Sequence, residues 1–291
     1  MTMPGAVLGA LWSLRGRTFA DEVRPTRAAL RYRELSPRGI APLVDLYLPA
    51  RATGASVVLV HGGAFVIGSR RMKPMRYLAS RLFAAGVAVC AVDYRLVFRG
   101  GRLDEAVDDV RAAFAFWREH AATLALDPRA VSLVGLSAGA SLAMLAAARE
   151  PDKLHRLACC FGLYEVDHLR GPLTSLMLRL LFRTRDRTAW RERSPLGAAQ
   201  PSVPTLLLHG SDDGLVPVEQ ARRLAAHREE LGLPTKLVIY PGAPHGFFNV
   251  QSLARPSGRA SGRTSETPYN VRSMAADAGV REIIDHVTGD R

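Results

Sequence analysis

Cysteine is rare in this chain of 291 residues, which contains only Cys90 and the adjacent pair Cys159 and Cys160. All three lie in apolar runs typical of interior strands, where reduced thiols are commonly buried. So few cysteines in such places argue against a disulfide framework.

Lysine is also scarce, although the chain is strongly basic, with 39 Lys and Arg against 27 Asp and Glu and a formal net charge of +12. Nearly all of the basic residues are arginines, and they are scattered along the chain. Nucleic-acid binding normally requires clustered cations together with aromatic or helical reading elements. The composition therefore predicts no nucleic-acid partner, and it leaves room for weak attraction to an anionic surface.

Long hydrophobic segments are missing as well. The apolar stretch 3–14 is too short to span a bilayer, and no basic residue precedes it as in a signal peptide. We therefore expect a cytoplasmic location. A helix that belongs to a cap is favoured for this stretch, and a membrane-surface anchor is the alternative, because Trp12, Arg15 and Arg17 suit either role.

Strand-like and helix-like segments alternate along most of the chain, which predicts an α/β fold with a mostly parallel central sheet and helices on both faces. Residues 29–35 and 43–48 alternate in polarity around a turn at 36–39, as an opening antiparallel hairpin would. Continuous apolar runs then predict strands buried on both faces at 56–60, 87–92, 131–134, 157–163, 204–208 and 236–240. Helical patterns lie at 72–85, 103–124, 141–149, 218–231 and 271–287.

The chain length suits a single domain over residues 1–291, with a small cap and one irregular loop. Cap elements are expected at 1–25 and 167–202, and the Gly- and Ser-rich segment 252–268 is expected to be a flexible loop. Within the second cap element, residues 172–182 predict a helix with Pro172 in its first turn. Its apolar face, which either packs on the domain or lines a substrate pocket, is formed by Leu173, Leu176, Met177, Leu180 and Leu181.

Ser137 lies in the sequence Gly-Leu-Ser-Ala-Gly, where an apolar strand (131–134) meets an Ala-rich helical run. A serine on a sharp turn between strand and helix exposes its hydroxyl above the sheet, and small flanking residues make that turn possible. The five-residue pattern alone is weak, but its setting identifies Ser137 as a candidate nucleophile.

A base and an acid follow Ser137 at the ends of two later strands. Asp212 and Asp213 come after the apolar run 204–208, and His245 follows the strand that ends at Tyr240. Open α/β sheets place their sites at these carboxyl ends. In the chain order serine, acid, histidine, His245 would accept the serine proton and the carboxylate would orient the imidazole. Spacing alone does not choose between the two aspartates.

Two glycines follow the strand 56–60, directly after His61. The amides of Gly62, Gly63 and Ala138, the residue after the serine, predict an oxyanion hole for a tetrahedral intermediate. His61 itself is expected to brace this loop.

The motifs together resemble the hormone-sensitive-lipase-like esterase branch of the α/β-hydrolases, which includes bacterial carboxylesterases and arylformamidase-like enzymes. The resemblance covers about residues 56–247, and its motifs are HGGAF (61–65), DYRL (93–96), GLSAG (135–139), HGSDDGLVP (209–217) and PHGF (244–247). It implies an α/β-hydrolase fold with Ser137 as nucleophile, His245 as base and Asp213, rather than Asp212, as the acid. Asp93 and Arg95 correspond to structural positions.

This chain departs from many relatives beside the serine. Leu136 stands in place of an acidic residue and suggests an apolar approach to the nucleophile, while Ala140 replaces a glycine at the start of the helix.

The prediction is a serine carboxylesterase, free of metal and cofactor, that cleaves small esters of short to medium acyl chains through an acyl-enzyme. Amide or formamide hydrolysis is an alternative because the same groups serve both bonds. A non-catalytic ligand-binding protein on this scaffold is a further alternative, although no member of the triad is missing. A third is a peripheral membrane hydrolase in which 3–14 or 176–182 touches lipid. The oligomeric state is not predicted.

Overall fold

The computed structural model describes residues 22–34, 42–150, 153–166, 169, 171–250 and 268–289. The predicted turn at 36–39, most of the cap element 1–25 and almost all of the loop 252–268 lie outside the described residues.

Eight strands form one sheet in the spatial order β1-β2-β4-β3-β5-β6-β7-β8. β1 pairs antiparallel with β2, β2 pairs antiparallel with β4, and every other neighbouring pair is parallel. The opening hairpin and the mostly parallel sheet are thus confirmed. The strand bounds are β1 (Arg27–Arg31), β2 (Leu43–Tyr47), β3 (Ser56–Val60), β4 (Ala88–Val92), β5 (Val131–Leu136), β6 (Leu157–Cys160), β7 (Thr205–Gly210) and β8 (Thr235–Tyr240).

Helices cover both faces of this sheet, and each face has its own apolar core. Side chains of α2, α3, α4, α5 and α6 contribute to one core, whereas α1 and α7 contribute to the other. The helix bounds are α1 (Lys73–Ala84), α2 (Leu103–Thr123), α3 (Ala138–Ala148), α4 (Pro172–Phe182), α5 (Arg187–Glu192), α6 (Glu219–Glu230) and α7 (Pro268–Thr288), with a short 3₁₀ helix at Val97–Arg99. No helix among the described residues combines the length and the apolar composition needed to cross a membrane.

Two strands differ from their predicted form. β6 ends at Cys160 rather than at residue 163, because Phe161 has a φ of 43° and turns the chain out of the sheet. β8 is only partly buried, although its apolar run predicts burial on both faces. It lies at the edge of the sheet, where a strand has a neighbour on one side only.

The helix α4 has the predicted bounds, but its buried stripe is different. Leu178, Leu181 and Phe182 are buried, whereas Leu176 is 48% exposed. Leu176 therefore does not pack on the domain, and a face that lines a substrate pocket stays a prediction. The helix packs against α5, which was not among the predicted helices, and the Phe182 ring lies 6.3 Å from the ring of Trp190 on α5. Arg183 and Arg193 form ion pairs with Glu105 and Asp104, which attach this region to the first turn of α2.

Candidate active site

Ser137 lies between β5 and α3 with a backbone conformation that few serines adopt, at φ 53° and ψ −120°. Its amide donates a hydrogen bond to the Cys160 carbonyl oxygen at 2.9 Å, which fixes the turn to the end of β6. The turn is crowded, because a Cβ added at Gly139 would lie 2.4 Å from the backbone oxygens of both Val60 and His61. Glycine at this position lets the first turn of α3 approach the end of β3, and Ser137 stands at the resulting junction.

The imidazole of His245 contacts both predicted partners. Its Nε2 lies 3.0 Å from Ser137 Oγ, and its Nδ1 lies 2.7 Å from Asp213 Oδ2. Because an ionised carboxylate only accepts hydrogen bonds, Nδ1 carries the proton and Nε2 is free to accept the serine hydrogen. The side chains therefore stand in the order that proton transfer from a serine requires.

The loop that contains His245 is anchored by its next apolar residues. Phe247 and Phe248 are fully buried in the core beneath α7, and the Phe161 ring packs edge-on against the imidazole with its centroid 5.1 Å away. His245 itself keeps 19% of its side chain exposed. Aromatic packing thus holds a ring that still reaches solvent, as a general base must.

Asp213, rather than its neighbour Asp212, faces the histidine. Its side chain is fully buried, and its Oδ1 accepts hydrogen bonds from the amides of Leu215 and Val216 at 3.0 and 2.8 Å. Burial alone would raise the pKa of this carboxyl, but hydrogen bonds from His209 and His245 outweigh burial and hold the pKa well below its usual range. Asp212 is exposed and accepts a hydrogen bond from Ser211.

Gly62, the first of the two glycines after β3, lies against the serine. A Cβ added at Gly62 would come within 3.0 Å of Ser137 Cβ, so a side chain there would fill the space beside the nucleophile. Gly63 has a φ of 118°, and its carbonyl accepts hydrogen bonds from the amides of Val66 and Ile67. The amides of Gly62, Gly63 and Ala138 have no acceptor among the residues that the structure describes. Three amides near Ser137 are therefore available to a ligand.

His61 is buried beneath this loop and makes no contact with the nucleophile's hydroxyl. Its ring stacks on Tyr94 at 4.2 Å, its Nδ1 lies 2.7 Å from the Gly62 carbonyl, and the Tyr94 hydroxyl donates to the His61 carbonyl. Burial lowers the pKa of His61, so the ring favours its neutral form. These contacts support the expectation that His61 braces the loop.

Buried ion pairs hold the strands beneath the site, and of their members only Asp93 and Arg95 were expected from the sequence to be structural. Arg70 pairs with Asp93 and, at 2.9 Å, with Asp45, while Arg95 pairs with Asp109 at 2.9 Å. Removing Arg70 would leave Asp93 without an ion-pair partner among the described residues, which is costly for a buried charge, so we regard this pair as structural. This agrees with the architectural role expected of Asp93 and Arg95.

Leu136 does not line an approach to the nucleophile. Its side chain is 2% exposed and packs in the core on the α1 and α7 face, because alternation along β5 places it on that face and helices cover the face. The expected apolar approach from this residue was therefore wrong. Ala140 is fully buried in the opposite core and fits the close packing at the start of α3.

One residue that contacts Asp213 was not singled out from the sequence. His209 is fully buried near the end of β7, and its Nε2 lies 3.1 Å from Asp213 Oδ2. The available signal was its position four residues before the aspartate in the HGSDD motif. Among the described residues, no group of three or more His, Cys, Asp or Glu side chains could hold a metal ion.

Comparison with known proteins supports the same fold and family. The BD-FAE family model matches residues 44–162, a span that includes Gly62, Gly63 and Ser137 and stops before Asp213. An ethyl acetate hydrolase of Pseudomonas putida is 30% identical over 235 residues, which are 72% of each chain. A probable isoprenylcysteine alpha-carbonyl methylesterase of Arabidopsis thaliana is 29% identical over 243 residues, covering 73% of this chain and 50% of that protein.

The chain spans about half the length of the plant methylesterases that it matches. Among solved structures, esterase 2 of Thermogutta terrifontis, phosphoramylated by tabun, superposes with a TM-score of 0.65. The two share 23% sequence identity, and the alignment covers 90% of this chain and 96% of that one. The eight-stranded sheet with helices on both faces is thus the fold of these esterases.

Proposed function

Because the chain belongs to the hormone-sensitive-lipase-like branch of the α/β-hydrolases, we propose that it is a serine carboxylesterase acting on small esters. One observation carries the proposal: His245 bridges Ser137 Oγ and Asp213 Oδ2 with contacts of 3.0 and 2.7 Å. A serine is a weak nucleophile alone, and an adjacent base oriented by a third group activates it.

In the first half-reaction, Ser137 Oγ attacks the ester carbonyl carbon and its proton passes to His245 Nε2. Asp213 stabilises the resulting imidazolium, and the amides of Gly62, Gly63 and Ala138 bind the negative oxygen of the tetrahedral intermediate. The intermediate collapses, the bond to the alkoxy oxygen breaks, and that oxygen takes the proton from His245 Nε2. An alcohol leaves and an acyl-enzyme remains.

In the second half-reaction, a water molecule attacks the acyl carbonyl carbon and gives one proton to His245 Nε2. Collapse of the second tetrahedral intermediate breaks the bond to Ser137 Oγ, which recovers the proton from His245. The carboxylic acid is released and the serine is restored. Neither half-reaction requires a group beyond the residues named and water.

The substrate class rests on the relatives and on the size of the chain's cap. The Pseudomonas putida relative is named for an ester with a two-carbon acyl group, whereas the plant relative is named for an ester with a one-carbon alcohol and a larger acyl part. The cap proposed for this chain consists of residues 1–25 and 167–202, whose described helices are the short α4 and α5. We assign esters of short to medium acyl chains.

A series of p-nitrophenyl esters from acetate to hexadecanoate tests this assignment. We expect an initial burst of nitrophenol, close to one per enzyme where deacylation is slow, and the highest kcat/KM at short to medium acyl length. Matched anilides should react far more slowly, because the leaving group of an amide is poorer. Rates that rise steadily to hexadecanoate, or anilides cleaved as fast as esters, would contradict the substrate class.

Weak contact with an anionic membrane surface is proposed for the same protein, because large apolar side chains are exposed in segments that follow three strands of the sheet. Phe98, Leu176 and Leu215, which are 65%, 48% and 55% exposed, follow strands β4, β6 and β7. Exposed arginines flank Leu176 in sequence at 179, 183 and 185. An apolar side chain beside cations suits insertion at the boundary of anionic headgroups.

Flotation with phosphatidylglycerol vesicles at low salt tests that contact. Leu176→Ser should lower the bound fraction severalfold, because the leucine side chain no longer enters the lipid. Leu231→Ser is the matched control. Leu231 is 52% exposed, but it lies before the amino end of β8, whereas the other three side chains follow the carboxyl ends of their strands. Equal flotation of the two variants and the unchanged protein would rule out Leu176 as a contact.

A cytoplasmic location stays a prediction from the sequence, and cell fractionation with an antibody against the protein would check it.

A further inference from the structure

His209 is a second histidine on the carboxylate that orients His245. Its Nε2 lies 2.9 Å from the Val216 carbonyl oxygen and 3.1 Å from Asp213 Oδ2, and its side chain has no exposure to solvent. A carbonyl only accepts hydrogen bonds, so Nε2 carries a proton, which it donates to the Val216 carbonyl while Asp213 Oδ2 lies beside the same N–H.

The other nitrogen of the same ring settles its tautomer. His209 Nδ1 is buried and has no hydrogen-bond partner among the described residues. A proton on Nδ1 would be a buried donor without an acceptor, which is costly. The ring is therefore held with its one N–H on Nε2, directed at Asp213 and Val216.

Asp213 Oδ2 therefore has two imidazole neighbours, one partly exposed to solvent and one buried. His245 contacts it at 2.7 Å from the partly exposed site, and His209 contacts it at 3.1 Å from the core. Oδ1 is meanwhile occupied by the amides of Leu215 and Val216. Both carboxylate oxygens of Asp213 thus have partners, so rotation of the carboxylate would break contacts of Oδ1 and of Oδ2.

Val216 joins the histidine and the aspartate in one closed unit. Its amide donates to Asp213 Oδ1 at 2.8 Å, while its carbonyl accepts from His209 Nε2 at 2.9 Å. The loop from β7 to α6 is therefore attached to the end of β7 by the hydrogen bond from His209. Loss of this histidine would free both the loop carbonyl and one side of the carboxylate.

We propose that His209 is a positioning residue for the hydrolytic reaction: its Nε2–H orients Asp213 and limits how strongly that carboxylate stabilises protonated His245. This inference rests on the proposed function, because it assigns a role within the same triad. His209 does not touch substrate, since it is buried behind Asp213. Its removal should change kcat and the pH dependence while leaving KM nearly unchanged.

The pH dependence reports the protonation of His245, and few groups contact its ring among the described residues. Asp213 and Ser137 are the hydrogen-bond partners of the His245 ring, and Phe161 packs on its edge. When the donor of His209 is lost, the whole negative charge of Oδ2 faces His245 and favours its protonated form. The acid side of the profile of kcat/KM, which requires unprotonated His245, should then move to higher pH.

Two substitutions separate positioning from packing. His209→Leu keeps apolar bulk and removes the donor, whereas the amide of His209→Gln extends to about the place of Nε2 and restores a donor. We expect the acid limb of kcat/KM to rise by about 0.5–1 pH unit in the leucine variant, with kcat about tenfold lower. The glutamine variant should return toward the unchanged protein in both quantities. A control, His227→Leu on α6, should alter neither.

Equal losses of kcat in the leucine and glutamine variants, with no shift of the acid limb, would overturn the proposal and leave His209 a packing residue.

A measurement on the unchanged protein decides the hydrogen bond even if the leucine variant does not fold. Long-range ¹⁵N–¹H correlation spectra of the histidine rings should show His209 as the Nε2–H tautomer, with a slowly exchanging proton. An Nδ1–H tautomer would overturn the inference. If instead no ester is hydrolysed by the unchanged protein, the proposed function fails, and the tautomer still reports on the contact with Asp213.

Discussion

Ser137→Ala is expected to reduce kcat for p-nitrophenyl acetate by about 10⁶-fold, the order of effect seen when the serine of a complete triad is removed. Such a loss corresponds to about 8 kcal/mol of transition-state stabilisation. The reason is local: the variant keeps the turn and the three free amides but has no oxygen to attack the carbonyl. Residual catalysis above the water rate should come from those amides.

The fold should tolerate this substitution. Alanine has the same Cβ as serine, so it adds no atom to the turn at φ 53°, and the Ser137 hydroxyl contacts His245 alone in the described part of the chain. We expect the thermal midpoint of the variant to stay within a few degrees of the unchanged protein.

Ser141→Ala is the matched control for Ser137→Ala, because Ser141 lies one turn further along α3. Its hydroxyl donates to the Leu163 carbonyl at 2.5 Å, so its loss should cost about 1 kcal/mol of stability. Activity should change less than tenfold. If Ser137→Ala retained hydrolysis within tenfold of the unchanged protein, the serine mechanism would be wrong.

Asp213→Asn is expected to give the second largest effect, a fall in kcat of about 10⁴-fold. An asparagine amide can donate to His245 Nδ1, which moves the imidazole proton to Nε2. Nε2 then has no lone pair for the Ser137 hydrogen, although the ring remains in place. The measurement is kcat for p-nitrophenyl acetate near neutral pH, with circular dichroism to check the fold.

Asp212→Asn is the corresponding control, since it makes the same chemical change at the adjacent residue. Asp212 is exposed, and the groups that contact its side chain do not include His245 in the described structure. Its activity should stay within about twofold, as is usual for surface changes away from a site. Equal losses at both positions would contradict the assignment of Asp213 as the orienting acid.

The local pattern around Ser137 was sufficient to predict much of the site. A buried strand, a small-residue turn and a helix have distinct sequence signatures, and the structure places them at β5, Ser137 and α3. The carboxyl ends of parallel strands meet at one edge of a sheet, so Asp213 and His245 were also expected there. The hydrogen bonds to His245 agree with that expectation.

Other features depend on contacts between residues distant in sequence. The partial exposure of β8 follows from its place at the edge of the sheet, which its apolar run does not reveal. The exposure of Leu176 follows from how α4 meets α5, and the burial of Leu136 follows from the packing of α1 and α7 on its face of the sheet. Periodicity indicates that a face is apolar, but tertiary packing determines which residues are covered.

The partners of the buried polar groups were likewise not predictable from the sequence pattern. Arg70 joins Asp45 of β2 to Asp93 beyond β4, a pairing set by the antiparallel register of those strands. His209 is close to Asp213 in sequence, yet its hydrogen bond depends on the loop folding back through Val216. Such pairings require the three-dimensional arrangement, because sequence separation does not determine side-chain direction.

The proposed mechanism makes Ser137 the nucleophile, activated by His245 and Asp213. Its most direct test is to treat the intact protein with a fluorophosphonate and to locate the adduct by peptide mass spectrometry. We expect one adduct per chain on Ser137, none in Ser137→Ala, and much slower labelling in Asp213→Asn than in Asp212→Asn. An unlabelled native protein, or an adduct on another residue that persists in Ser137→Ala, would contradict it.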